Sequence, residues 1–356
     1  MRKLPALGKR SKKKTAAAVF CVFVLALFIF RLYLPVLVKN YLNEVLRKIP
    51  GYEGHVEGVG IHLWRGAYSI RGLELDKTGG KVPVPFLRIK KIDFSIAWKP
   101  LFRGNLSGKT ELDHPILNFV ASASEDKKQT SIDKSWRQRA KEIFPLRIAR
   151  FGVKEGEIHF RNFDARPPVN IFIRQINLVA ANLTNSRRLS KTLKATVDGS
   201  AVAMQDGLLR LHMEINPFSL RPSFALALKL EHLQLSELND FFKYYLAVIA
   251  KTGTLDFYME GKAKEGAFGG YVKPLLEKLD LIQIKEKASV GETFKALGVK
   301  FISYALKNHA KDRLGTRIKI RGTVDKPDPD VWSAIASFLH NWLIHALSKG
   351  FETSPS

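Results

Sequence analysis

The sequence predicts a mainly β protein with several helices, in which an N-terminal transmembrane helix precedes a long antiparallel sheet curled into a groove or taco-like trough. Three observations carry this expectation. Residues 15–30 are sixteen consecutive uncharged, mostly apolar residues. Beyond residue 50, short runs alternate apolar and polar residues between Gly, Pro, Asn or Asp, the pattern of strands joined by turns. The helical segments are too few to cover these strands: about a dozen at ~4.8 Å spacing make a sheet roughly 55–60 Å wide, against the ~10 Å band one helix shields. Such a sheet closes as a barrel or sandwich, or curls into a trough whose apolar inner face takes another filling.

The N-terminal run continues past Arg31 through Leu32 to Val38, giving about the twenty residues that cross ~30 Å of hydrocarbon. Residues 15–38 are therefore the expected anchor, with Phe20, Phe23, Leu27, Phe30 and Tyr33 as lipid-facing side chains. Seven Lys and Arg and no acid precede it in a basic tail, residues 1–14. The positive-inside bias keeps that tail in the cytoplasm and sends the remainder across. A cleaved signal peptide shares both features, but Leu34-Pro35-Val36-Leu37 is a poor cleavage site. Val38, Tyr41, Leu42, Val45, Leu46 and Ile49 then recur at helical spacing until Pro50-Gly51, so residues 39–50 read as a helical stalk.

Formal charge is +25, and removing the seven tail charges leaves +18 on the rest. A balance of that sign suits an anionic partner, nucleic acid or acidic phospholipid headgroups. For a chain tethered to a membrane the lipid is the nearer partner. The single cysteine, Cys21, falls inside the span, so the remainder has no disulfide, thiolate metal site or cysteine nucleophile.

Residues 51–325 form the expected β-rich groove domain. A hairpin is predicted from Val56, Ile61 and Leu63 against Ile70, Leu73 and Leu75. In the clearest strand Ile92, Phe94, Ile96 and Trp98 share one face and Asp93, Ser95 and Ala97 the other. Leu87 and Ile89 alternate in the opposite phase, which predicts a bulge at Lys90-Lys91. Two shorter strands, 106–112 and 116–121, are expected around a turn at Asp113-His114-Pro115. A polar loop over 122–135 and a short helix over 136–144 follow. Alternation returns at 156–163, 171–183, 193–203, 208–215, 224–233, 255–263 and 317–324. The last two divide cleanly: Leu255, Phe257 and Met259 oppose Asp256, Glu260 and Lys262, while Ile318 and Ile320 oppose Arg317, Lys319 and Arg321. Helices are expected near 236–250 and 286–310. A C-terminal amphipathic helix, 330–348, carries Trp332, Ile335, Leu339 and Trp342 along one stripe.

No constellation nominates an enzyme, a cofactor or a metal. Residues 104–110 approach a phosphate-binding loop but have one residue too few between the glycines and precede a strand. His340 and His345 are five apart, off the four-residue spacing that puts two ligands on one helix face. Nucleic-acid binding would interleave aromatics with the cations, whereas here the aromatics fall mostly on the apolar side. On residue pattern alone, an ordinary core between two sheets and a lipid-lined groove stand about level.

Residues 63–75, Val84-Pro85-Phe86-Leu87, residues 92–104 and 114–120 resemble the N-terminal part of bacterial AsmA-like proteins, more closely the branch long described only as a domain of unknown function. Residues 316–351, with a Gly-Thr-Val turn, Pro-Asp-Pro and a Trp-Ser-Ala-Ile helix, are similar to the end of that branch. The resemblance implies a single-pass protein of the bacterial inner membrane with its bulk in the periplasm, contributing to lipid transport or envelope integrity. Phospholipid acyl chains would run along an apolar groove lined by Ile92, Phe94, Ile96, Trp98, Phe257, Met259, Ile318 and Ile320. Other envelope proteins or a second copy are further candidate partners. The alternative is a structural or assembly factor for outer-membrane proteins, binding a client at its sheet edges or basic face.

Overall fold

A computed structural model of the chain describes residues 9–62, 66–79, 81–96, 108–122, 124, 126–129, 148–183, 195–216, 223–284, 313–315 and 317–323. Trp98, the C-terminal stripe from Trp332 to Trp342, and the helices expected at 136–144, 286–310 and 330–348 lie outside these residues.

The anchor and stalk are one helix, α1 (Lys9–Arg47), which runs through Pro35. Its part from Ala16 is long and apolar enough to be a single membrane span or a signal sequence. After a short turn come β1 (Tyr52–His62), β2 (Ala67–Lys77), β3 (Leu87–Ile96) and β4 (Gly108–Val120). Next are β5 (Ile148–Asn162), β6 (Val169–Ala181), β7 (Ala195–Ala203), β8 (Gly207–Ile215) and β9 (Phe224–Gln234). A 3-10 turn (Leu235–Leu238) leads into α2 (Asn239–Leu246), and β10 (Val248–Lys264), β11 (Ala267–Gln283), β12 (Arg313–Gly315) and β13 (Ile318–Thr323) complete the described chain.

All thirteen strands belong to one open, curled sheet in chain order, with β12 and β13 end to end along one edge of β11. Neighbours are antiparallel except β4 and β5, which are parallel because the long segment between them returns the chain to the end where β4 began. Three expectations are corrected. Gly108–Val120 is one strand where two around a turn were expected. The helix expected near 236–250 is shorter, and Ile249 belongs to β10. The seventeen-residue β11 was not anticipated.

The bulge expected at Lys90-Lys91 is part of a larger feature. Val56 pairs with Leu73 and Gly58 with Arg71. Leu73 pairs with Ile89 and Arg71 with Lys91, and these pair with Pro115 and Asp113. The positions passed over, Glu57, Gly72, Lys90 and His114, lie side by side across four strands. Gly72 and His114 have φ of 57° and 49°, and Glu155 and Gln175 on the next two strands have 50° and 52°. His232, Gly253 and Lys278 repeat the left-handed conformation on β9–β11. A left-handed residue in a strand bends it and reverses the alternation beyond, so apolar side chains of both arms stay on one side. Ile89 and Ile92 accordingly share one cluster. The line of bends is the keel of the trough, and the two arms of each bent strand are its walls, β7 and β8 contributing a single arm.

Candidate functional site: an apolar trough

Directly paired residues on neighbouring strands project to the same side of a sheet, so the register identifies the lining. One row of partners crosses the sheet as Val59, Ile70, Ile92, Leu112, Val153 and Leu178, then Gly199, Leu211, Leu228, Met259, Val272 and Ile318. Every member is apolar or glycine. The adjacent row on that face runs through Ile61, Tyr68, Phe94, Thr110, Phe151 and Ala180. It continues through Val197, Met213, Leu226, Gly261, Gly270 and Ile320.

The residues expected to line a groove fall on this face. Ile92, Met259 and Ile318 occupy the first row and Phe94 the second, and Ile320 pairs with Gly270 in the register of that second row. Phe257 faces Leu230 and Pro274 one step toward the keel, while Ile96 faces Gly108 one step toward the rim. They differ in what covers them. Ile92 is 0% and Phe94 1% exposed, sealed in a core where Leu42, Val45, Leu46 and Ile49 of α1 pack on β1–β3. The stalk approaches so closely that a Cβ on Gly54 would lie 3.0 Å from that of Leu46, and Asn43 Oδ1 accepts the N–H of Val56 on the edge strand at 2.7 Å. Tyr68 stacks on Phe94 at 4.3 Å, and burial pushes its phenol up to about 12.

At the other end Met259, Val272 and Ile318 are also buried, in a cluster built from strand residues and Leu183. Between the two ends Leu112, Val153, Leu178, Leu211 and Leu228 are half-buried. Neither described α-helix belongs to the cluster of which Leu178, Leu211 and Leu228 form the flank. This middle stretch is the candidate site.

No family model matches this chain, and no curated protein does either. The geometry must therefore carry the reading.

The second helix occupies the opposite wall. β7 and β8 are nine residues each, shorter than most of their neighbours, and α2 packs beside the notch beneath their turn. Phe242 joins Leu235, Val248, Ala250 and Leu276, while Tyr245 packs on Ala165 and Val169. Asn239 fixes the helix by donating to Ala250 O at 3.0 Å and accepting the Ala250 N–H at 2.8 Å. Asn162 Nδ2 donates to the Tyr245 hydroxyl at 2.9 Å. The Glu237 carboxylate accepts the N–H of Gln205 in the β7–β8 turn at 2.9 Å.

The convex face is polar. Asp93 pairs with Glu111 across β3 and β4, and Glu111 holds Lys154 at 2.5 Å and Lys109 at 3.0 Å. These two lysines, Lys154 first, keep its carboxyl below the usual range. His159, not singled out in the sequence, is buried between Glu157 at 2.9 Å and Asn170 at 3.1 Å. A shallow depression of about 430 Å³ opens where Ala225, Ala227 and Gly269 leave space between His212, Lys262 and Tyr271. Among the described residues no three His, Cys, Asp or Glu gather to hold a metal.

Proposed function

We propose that this is a membrane-anchored, non-enzymatic lipid-handling protein, in which the trough holds phospholipid acyl chains while headgroups stay in water. The carrying observation is the unbroken apolar row across twelve strands, half-buried from Leu112 to Leu228. Burying each CH₂ is worth ~0.8 kcal/mol, so a lined trough holds chains without a shaped pocket. α1 would fix the trough to the inner membrane of a bacterial envelope with the sheet in the periplasm. The basic N-terminal tail and the resemblance to AsmA-like proteins support that placement. At ~4.8 Å per strand the sheet is roughly 60 Å along the keel, which suits a shuttle or adaptor working with other envelope proteins or a second copy.

The test is a photo-crosslinking residue at Leu211 or Leu228 in the full chain in cells, with Lys229 on the convex face as control. Phospholipid adducts at the two leucines and none at Lys229 are expected; equal or absent labelling overturns the proposal. The unclosed sheet favours one second reading, an assembly factor that adds a client strand to β13. Client cross-links along β13 without lipid at Leu211 would select it.

A further inference from the structure

The two long rims of the trough differ in charge. At the rim where β1 ends and β2 begins, the outermost convex-side row contains Ser95, Lys109 and Arg150. Farther along the same rim it contains Glu214, Lys262 and Arg321, with Lys264 one step beyond. Lys109 is held by Glu111, but Arg150, Lys262, Lys264 and Arg321 form no ion pair among the described residues. The sequence between the strand ends there (63–65, 97–107, 184–194, 217–222 and 265–266) carries eight Lys or Arg against one acid, Glu265. The opposite rim mixes both signs and pairs them: Lys81 with Asp126 at 2.5 Å, and Lys127 with Asp164 and Lys251 with Asp280 at 3.8 Å.

We propose that the basic rim selects phospholipids with net-anionic headgroups, holding their phosphates beside the apolar rows through Arg150, Lys262, Lys264 and Arg321. This inference rests on the lipid-trough reading and adds headgroup class to it. Lys109 directly precedes Thr110 of the lining, and Lys262 directly follows Gly261, so a cation stands one residue from where a chain would leave the trough. Lys and Arg stems lie along apolar surface while the charge reaches water, which suits them to bridge that step. A zwitterionic headgroup carries its own cation beside the phosphate. A net anion receives the full attraction of the rim.

The experiment places the crosslinker at Leu211 of the full chain in nanodiscs of equal phosphatidylglycerol and phosphatidylcholine with identical acyl chains, and weighs the adducts. At roughly fivefold per cation before screening, phosphatidylglycerol adducts should exceed phosphatidylcholine adducts on the order of tenfold at low salt. The triple variant Arg150→Glu, Lys262→Glu, Arg321→Glu should bring the ratio to parity with total adduct retained. The pair Lys127→Glu, Lys251→Glu on the other rim should leave it unchanged. Parity in the unmodified chain, or an excess that survives the triple variant, overturns headgroup selection and spares the trough. No adduct of either lipid removes both.

Discussion

Phe94 and Leu211 project from the same face of one sheet, yet a charge placed at each should have opposite consequences. Phe94 is 1% exposed under the stalk and stacked by Tyr68, so Phe94→Asp would bury a carboxylate with no partner, at a cost of several kcal/mol. Loss of the cooperative thermal transition is expected. Leu211 is half-buried in the middle of the trough; Leu211→Asp should melt within a few degrees of the parent while lipid adducts at Leu228 fall severalfold. Tyr68 makes a pH prediction. Its phenol titrates at about 12 in the fold against 10 when free. The stabilisation from keeping it neutral is thus complete below pH 10 and is lost as pH rises from 10 through about 12. Alkaline denaturation monitored by circular dichroism should shift upward in Tyr68→Phe.

Among the elements, the keel depends on left-handed residues, of which Gly253 and Gly72 are glycines. A Cβ on Gly72 would meet the end of the Glu57 side chain at φ 57°. Gly72→Val should destabilise by about 2–4 kcal/mol, the left-handed penalty of ~1–2 kcal/mol plus the displaced neighbour. Gly79, with φ 99° and open space around it, should lose less as Gly79→Ala; urea titration of the two compares them. Leu46→Ala, in the core that joins α1 to the sheet, should cost about 2–5 kcal/mol. The keel also explains which strands were legible. Strands β7 and β8 follow plain alternation, and their boundaries are close to those read from sequence. β4 divides in sequence because Asp113-His114-Pro115 spells a turn, whereas His114 takes the left-handed conformation without breaking the strand. β11 was missed because Gly269-Gly270 and Pro274 break a strand pattern. Gly270 is needed where the Glu260 carbonyl crowds its Cβ position, and Pro274 falls in the gap between the pairings with β13 and β12, where a missing N–H is tolerated. The face of the candidate lining was legible for the same reason that alternation is. What α1 seals was not, because helix-on-sheet packing is set by contacts far apart in sequence.

For the molecule as a whole, a trough that binds chains only in the folded state should be stabilised by its cargo. Delipidated full chain in lipid-free detergent should melt several degrees below the same chain supplied with phosphatidylglycerol, and that difference should shrink in Leu211→Asp. The order of strands in space has a separate consequence, one that concerns how such a molecule is made. From β1 through β11 each strand lies against the strand synthesised just before it, so partners are close in sequence and closing each pair costs little loop entropy. The sheet can therefore assemble vectorially, one strand at a time, on a seed of α1 and β1–β3 that is complete before the rest has been translated. Pauses come at the parallel junction of β4 and β5 and again between β11 and β12, where a long segment must emerge before the next strand can dock.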